Sequence, residues 1–489
     1  MKILALALTL TLATTVNAQT ATPKPVTPRP SPQAPWNKIP TPPLHPFHPQ
    51  QPKRIELANG MVIFLQEDHE LPFINGYISI RGGSRDEPAN KVGLVSLYGE
   101  AWRTSGTTNA TGDALDDQLE AKAARVESNG SFDYTSLSFS SLKPDFDSVF
   151  GIAVDLLLHP AFKKDKLQLA KRQMETGIAR RNDDASGIAG REAVRAVYGP
   201  NSPFGRNAEH ATVEAVTLKD LEQFHDRTVI PNNIILAIGG DFDSAAMETK
   251  LRAIFSNLKR GPATDPTKLD FPGPKPGVYF VDKTDVNQSN VYIVGLGTRR
   301  DNPDYYALNV MNEIFSGGFG SRLTQSVRTK LGLAYDVGGG FGSSYDHPGI
   351  FRVEAGTKSA STVPAAQAML DEINRLKTAP PTPEELASAK RNLLNSFIFH
   401  YDSRDKTLGE QVTLFFYGYP PDFLERYPAA IQKVTAADVS RVANKYIDTS
   451  KLAIVVVGNQ SQLTPALTTL GPVTPIDITI PPPPGAPKE

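Results

Sequence analysis

A strand–strand–turn–helix pattern occurs twice along this chain, and that duplication limits what it can fold into more than any other feature. In the first copy, Leu57-Ala58-Asn59-Gly60 opens onto β-branched runs at 61–66 and 74–81. Gly83-Ser84-Arg85-Asp86-Glu87-Pro88 and a helical stretch at 92–103 follow. In the second copy, Gly277 precedes runs at 278–282 and 290–296. Gly297-Thr298-Arg299-Arg300-Asp301-Asn302-Pro303 and a helical stretch at 305–315 come next. Both copies join strand-type runs to a turn carrying Arg-Asp-x-Pro, and then to a 3.6-residue period. The first continues with a strand at 132–141 and helices at 145–158 and 165–181. The second continues with a strand at 350–357, a helix at 363–376 and a helix opening at Pro383-Glu384. Each closes on a helix and a strand, 218–227 with 234–240 and 436–447 with 452–458, and Thr217 and Thr435 stand at N-cap positions. Shared order of this kind marks an internal repeat. The expected fold is α+β, a tandem duplication of two homologous α/β-roll domains whose sheets are covered by helices.

The ends of the chain read differently. Lys2, an apolar run at 3–12 and the small residues ending Val16-Asn17-Ala18 have the layout of a secretory signal peptide over 1–18. The run is too short for a spanning helix of about 20 residues, and no later segment offers one. Residues 19–52 are dense in proline and read as a tether, and 473–489 read as a proline-rich tail. The domains are therefore expected at 53–260 and 277–472, with 261–276 as a Pro/Gly-rich linker.

Composition narrows the chemistry. The chain carries 51 Lys+Arg against 52 Asp+Glu, a formal net charge of −1, so it lacks the basic excess of a nucleic-acid binder. It contains no Cys, which removes disulfides, thiolate metal sites and cysteine nucleophiles together. Export combined with the absence of Cys points to the periplasm of a Gram-negative bacterium. The glycine stretches Gly317-Gly318-Phe319-Gly320 and 338–342 match neither phosphate-loop pattern and read as flexible segments bordering a binding edge.

Several stretches, taken in order, resemble the insulinase/pitrilysin-type metallopeptidases, which include the mitochondrial processing peptidase subunits. They are Gly83–Pro88, Gly93-Leu94 with Gly106-Thr107, Tyr198-Gly199 with Pro203-Phe204-Gly205-Arg206, and Pro231-Asn232-Asn233 with Gly239-Gly240-Asp241. In the second half they are Phe319-Gly320-Ser321-Arg322-Leu323, Val327-Arg328-Thr329 with Gly332-Leu333-Ala334-Tyr335, and Val455-Val456-Val457-Gly458. The resemblance covers nearly all of 54–472 and implies a clamshell half built from two such domains.

Catalysis in that family uses an H-x-x-E-H helix, whose two His hold zinc and whose Glu serves as base, plus a distal Glu ligand. Between Gly93-Leu94 and Gly106-Thr107 this chain has no His. Aligned from the left, Ser96, Gly99 and Glu100 occupy the three positions; aligned from the right, Leu97, Glu100 and Ala101 do. The distal position falls at Gly177, and the nearest acid, Glu175, lies about 200° around the helix. Glu100, flanked by Tyr98 and Trp102, reads as a partly buried, paired acid rather than a lone base. No metal ligand set is assigned to this chain. What the resemblance does carry over is a substrate-binding pair seven residues apart, Arg328 and Tyr335, which in active relatives binds substrate and steadies the tetrahedral intermediate.

The resemblance thus implies a non-catalytic, substrate-binding subunit of a periplasmic zinc peptidase. It would be inactive alone and would complete the site of a homologous H-x-x-E-H partner that carries the zinc and acts on peptides. A scaffold or binding protein without a proteolytic role is the alternative.

Overall fold

A computed structural model describes residues 49–262 and 269–485. The expected segment at 1–18 and most of the 19–52 tether lie outside the described residues. Two six-stranded sheets carry the fold. The first uses β1 (Lys53–Glu56), β2 (Val62–Glu67), β3 (Phe73–Arg81), β4 (Arg125–Gly130), β5 (Tyr134–Leu142) and β6 (Ile234–Gly240) in the order β1-β2-β6-β3-β5-β4. The second uses β7 (Gly277–Asp282), β8 (Gln288–Leu296), β10 (Ala334–Phe341), β12 (Ile350–Lys358), β13 (Ala453–Gly458) and β14 (Val473–Pro475) in the order β10-β12-β8-β13-β7-β14. The short strands β9 (Thr298–Arg299) and β11 (Ser343–Ser344) pair in parallel beside it. Five of the six positions match between sheets, in direction as well as order, which is the duplication read in the sequence.

The sixth position differs. In the first sheet it is β1, antiparallel to β2 and just ahead of it in the chain. In the second it is β14, which runs parallel to β7 and comes from the far end of the chain. The expected tail at 473–489 is therefore corrected. Its first residues form this strand, and Ile476, Ile478 and Ile480 pack as partly buried side chains onto the body. The linker is also less bare than expected, because the Phe271 ring packs against Tyr198, Phe204 and His347.

Both faces of each sheet are apolar, which is why β6 and β13 read as unbroken runs rather than alternating ones. In β2, Ile63 and Leu65 face the first half's own helices, whereas Val62 and Phe64 face outward. The outward faces are covered by exchange. Helix Arg404–Tyr417, from the second half, lays Leu408 and Val412 on Val62, Phe64, Ile235 and Ala237 of the first sheet. Helix Ala185–Tyr198, from the first half, lays Ile188, Ala189 and Ala193 on Val281, Val294, Val455 and Val457 of the second. Removing apolar area from water on this scale couples the two halves.

The first copy of the turn serves the same join: Arg85 pairs with Asp133 of its own half and Asp346 of the other. In the second copy Arg300 lies over the Tyr345 ring of its own half at 4.1 Å. Burial raises the pKa of Glu87, whose carboxylate caps helix Leu94–Thr104 by accepting from the amides of Gly93 and Val95. That helix starts at Leu94 rather than 92 because Gly93 has φ +106°, a conformation that favours glycine.

Candidate functional site

The second half presents Arg328 and Tyr335 from two adjoining elements. Arg328 lies in the segment Thr324–Lys330, a π-helix whose wider turn is closed by the Leu331 amide donating to the Ser326 carbonyl at 3.1 Å. Leu323 and Val327 are fully buried and fix this segment to the core. Arg322, from the same motif, is structural. Its buried guanidinium grips Glu385 through two contacts of 2.7 Å and donates to the carbonyls of Ala379 and Pro380.

Tyr335 enters the edge strand β10. Ala334 pairs with Thr357 and Asp336 with Gly356, so Tyr335 is the extra residue of a β-bulge. A bulge re-aims a side chain, and this one leaves Tyr335 83% exposed. The Arg328 guanidinium carbon lies 4.9 Å from the Tyr335 ring centroid. Phe319, on the preceding glycine loop and 73% exposed, is the second ring under that guanidinium, at 5.0 Å. The Arg328 guanidinium makes no hydrogen bond or ion pair with any described residue, so its donors are available to a ligand. The expected pair is thus brought together, and its surroundings leave both polar ends free. Glycines 338–340, within the 338–342 stretch expected as a flexible segment, belong instead to β10.

The first half shows the opposite. Ser96 and Glu100 are exposed on helix Leu94–Thr104, while Leu97 and Ala101 are in the core. Gly99 is buried against the edge strand β4: a Cβ there would sit 2.3 Å from the Gly130 amide nitrogen. The helix docks backbone to backbone on β4, with the Arg103 Nε–H donating to the Val126 carbonyl at 2.7 Å. Glu100 is therefore not the partly buried, paired acid expected. Tyr98 and Trp102 point to the core, and Glu100 faces solvent with no ion pair among the described residues. Gly177 faces open space on helix Lys164–Arg180, and Glu175 is half-buried. Among the described residues no three His, Asp or Glu side chains come together as a metal site. The ligand positions hold Ser96, Glu100 and Gly177 in the left-hand alignment and Leu97, Ala101 and Gly177 in the right-hand one; neither makes the donor set of a zinc ion, and Gly99, at the base position of the first, has no room for a side chain.

His225 has no histidine partner at ligand spacing in the sequence, and the structure buries it. His225 Nδ1 lies 2.9 Å from the Tyr98 hydroxyl, among Trp102 and Phe162, and burial lowers its pKa to about 4. It is a neutral core group, and its ring contacts are packing.

This arrangement, a duplicated two-domain fold with half-buried Arg328 beside exposed Tyr335 and no H-x-x-E-H motif, defines a class, and sequence comparison gives it a family. Residues 62–198 match the profile described as insulinase (peptidase family M16), and residues 215–393 match that of the peptidase M16 inactive domain. The chain belongs to the insulinase family. It is 23% identical to a Helicobacter pylori protein named non-peptidase homolog YmxG, over 84% of this chain and 94% of that one. It is also 23% identical to a Rickettsia felis protein named uncharacterized zinc protease, over 83% and 97%. Among solved structures, a peptidase M16 inactive domain from Pseudomonas fluorescens superposes with a TM-score of 0.76 at 25% identity, covering 84% of this chain and 98% of that one. A protease from Helicobacter pylori shares the fold, with a TM-score of 0.72 at 20% identity over 84% and 100%. The chain is a non-catalytic member of the family.

Proposed function

We propose that this chain is the substrate-binding subunit of a periplasmic zinc peptidase heterodimer, completing the site of a homologous partner that carries H-x-x-E-H and its zinc. The observation that carries this reading is the contrast within one molecule. Among the described residues the first half holds no metal-ligand cluster, whereas in the second half-buried Arg328 and exposed Tyr335 adjoin, and neither polar end bonds a described residue. Nothing in the fold requires an exposed tyrosine on a bulge, and a guanidinium without a carboxylate adds little to stability. Both are suited to peptide carbonyls: Arg offers a fork of donors and Tyr a hydroxyl, and donors aimed at a developing oxyanion are a large part of acyl-transfer catalysis.

The test is co-expression with an H-x-x-E-H homologue from the same genome. Co-elution, with peptide cleavage by the pair and none by this chain alone, is the expected outcome. One zinc per chain in this protein by itself, with chelator-sensitive cleavage, or a homologue fully active with no complex formed, defeats the proposal. Isolation of the mature protein from the periplasmic fraction tests the compartment. Among the described residues no helix is long and apolar enough to cross a membrane.

A further inference from the structure

We propose that Phe319 is a positioning residue for Arg328: its ring holds the guanidinium where it meets a peptide carbonyl. The inference rests on the substrate-binding reading above and adds a residue to it. Phe319 is a large apolar side chain left 73% exposed at the tip of Gly317-Gly318-Phe319-Gly320. Isolated exposed apolar residues need no explanation. This one differs because its loop is fastened and its ring has a partner. Gln325 donates through Nε2 to the Phe319 carbonyl at 2.6 Å, and the Ser321 amide donates to the Gly318 carbonyl at 3.1 Å. Gly318, at φ +113°, makes a turn that other residues rarely adopt.

The ring then lies under Arg328, at a cation–π distance equal within 0.1 Å to that of Tyr335. With no carboxylate among the described residues to hold it, an arginine samples many rotamers, and each productive encounter costs side-chain entropy. Two aromatic faces limit that freedom without occupying the N–H donors, which an ion pair would occupy. Phe319 is therefore as much a part of the substrate-binding group as Tyr335, although it offers no hydrogen bond of its own.

The first measurement uses the chain alone, labelled with nitrogen-15. The Arg328 Nε–H cross-peak is identified as the one lost in Arg328→Lys. Phe319→Ala is expected to move it, through loss of the ring current, and Phe319→Tyr to return it near its original position. The second uses the reconstituted pair: Phe319→Ala is expected to raise KM about two- to fivefold, the size of an exposed cation–π contact, with kcat nearly unchanged and Phe319→Tyr restoring KM. An Arg328 signal indifferent to Phe319→Ala overturns the inference whether or not a pair exists. A signal that moves while KM does not also overturns it, since the stack then serves no substrate. Failure of any pair to assemble is instead a failure of the underlying functional reading. Phe319 is exposed and outside the core, so the fold is expected to survive both variants.

Discussion

The two halves end their sheets on equivalent edge strands, and they finish those edges in different ways. At β4 the neighbouring helix lies directly on the strand, through Gly99 and Gly130, each so close that a Cβ on it would meet backbone atoms of the other element at 2.1–2.3 Å. At β10 the helix Tyr305–Ser316 stands off and reaches the strand with side chains. Asn312 bonds both the amide and the carbonyl of Phe341, and Ser316 accepts from the Gly339 amide at 3.1 Å. The helix at the family's zinc-motif position lies directly on its strand, where Gly99, at the base position in the left-hand alignment, has no room for a side chain. The other half keeps its edge spaced, and the strand enters through an exposed bulged tyrosine.

The largest effect expected from breaking this comparison is on the exposed side. In the reconstituted pair, Tyr335→Phe removes one hydroxyl donor with little change in shape and should lower turnover about 10²–10³-fold. Arg328→Lys should also lower it, because an ammonium does not reproduce the guanidinium fork. Both variants should assemble normally, as neither residue is in the core. Wild-type turnover in both would make the pair structural and favour the scaffold reading.

The packed side should respond in stability rather than activity. Gly99→Ala places a methyl group against the backbone of Gly130, which has no rotamer to move. A loss of about 3 kcal/mol, at the upper end for overpacking, is expected by denaturant unfolding. If Gly99→Ala unfolds like the parent, the close docking described for β4 is wrong.

The halves also differ at the equivalent helices Leu218–Thr228 and Ala436–Tyr446, which begin with the same capping box at Thr217/Asp220 and Thr435/Asp438. In register from those caps, buried His225 corresponds to buried Ala443. With the folded pKa near 4 and an unfolded value near 6.5, the unfolded chain takes up a proton that the native state does not, so acid favours unfolding. Stability from this site is complete above about pH 6.5 and is lost as pH falls toward 4, by about 3 kcal/mol at most. The double variant Tyr98→Phe/His225→Phe, which leaves no orphaned hydroxyl, should flatten that part of the pH–stability curve. An unchanged slope would place the titration elsewhere.

How much of this was legible in the sequence depended on whether an element packs within its own repeat. The Arg-Asp-x-Pro turns, the Thr217 and Thr435 caps and the strands of the two inner layers were readable because local pattern and tertiary role agree. Strand β10 was not, since glycines 338–340 read as loop by propensity while the ladder to β12 makes them strand. The exchanged helices Ala185–Tyr198 and Arg404–Tyr417 went unread because the faces they cover belong to the other half, and β14 because its few residues sit in a proline-rich run. In the site, the spacing of Arg328 and Tyr335 was available through family resemblance. Phe319 was not, because an aromatic among glycines carries no periodic signal.

The smallest expected effect sharpens the contrast between two glycines at lost active-site positions, Gly99 at that of the base in the left-hand alignment and Gly177 at that of the distal ligand. Gly177 lies inside helix Lys164–Arg180, and a Cβ there meets nothing within 4 Å. Its cost is therefore the intrinsic one of glycine in a helix, so Gly177→Ala should stabilise the protein by about 0.5–1 kcal/mol. Gly177→Glu should fold as well, because the position opens onto solvent. Gly99 and Gly177 would then respond with opposite signs to the same alanine substitution, measured in the same urea titration. That outcome would show that the distal ligand position remains open, whereas the base position of the left-hand alignment is shut by the strand the helix rests on. A destabilising Gly177→Ala would mean that this helix face is packed against something the isolated chain does not contain.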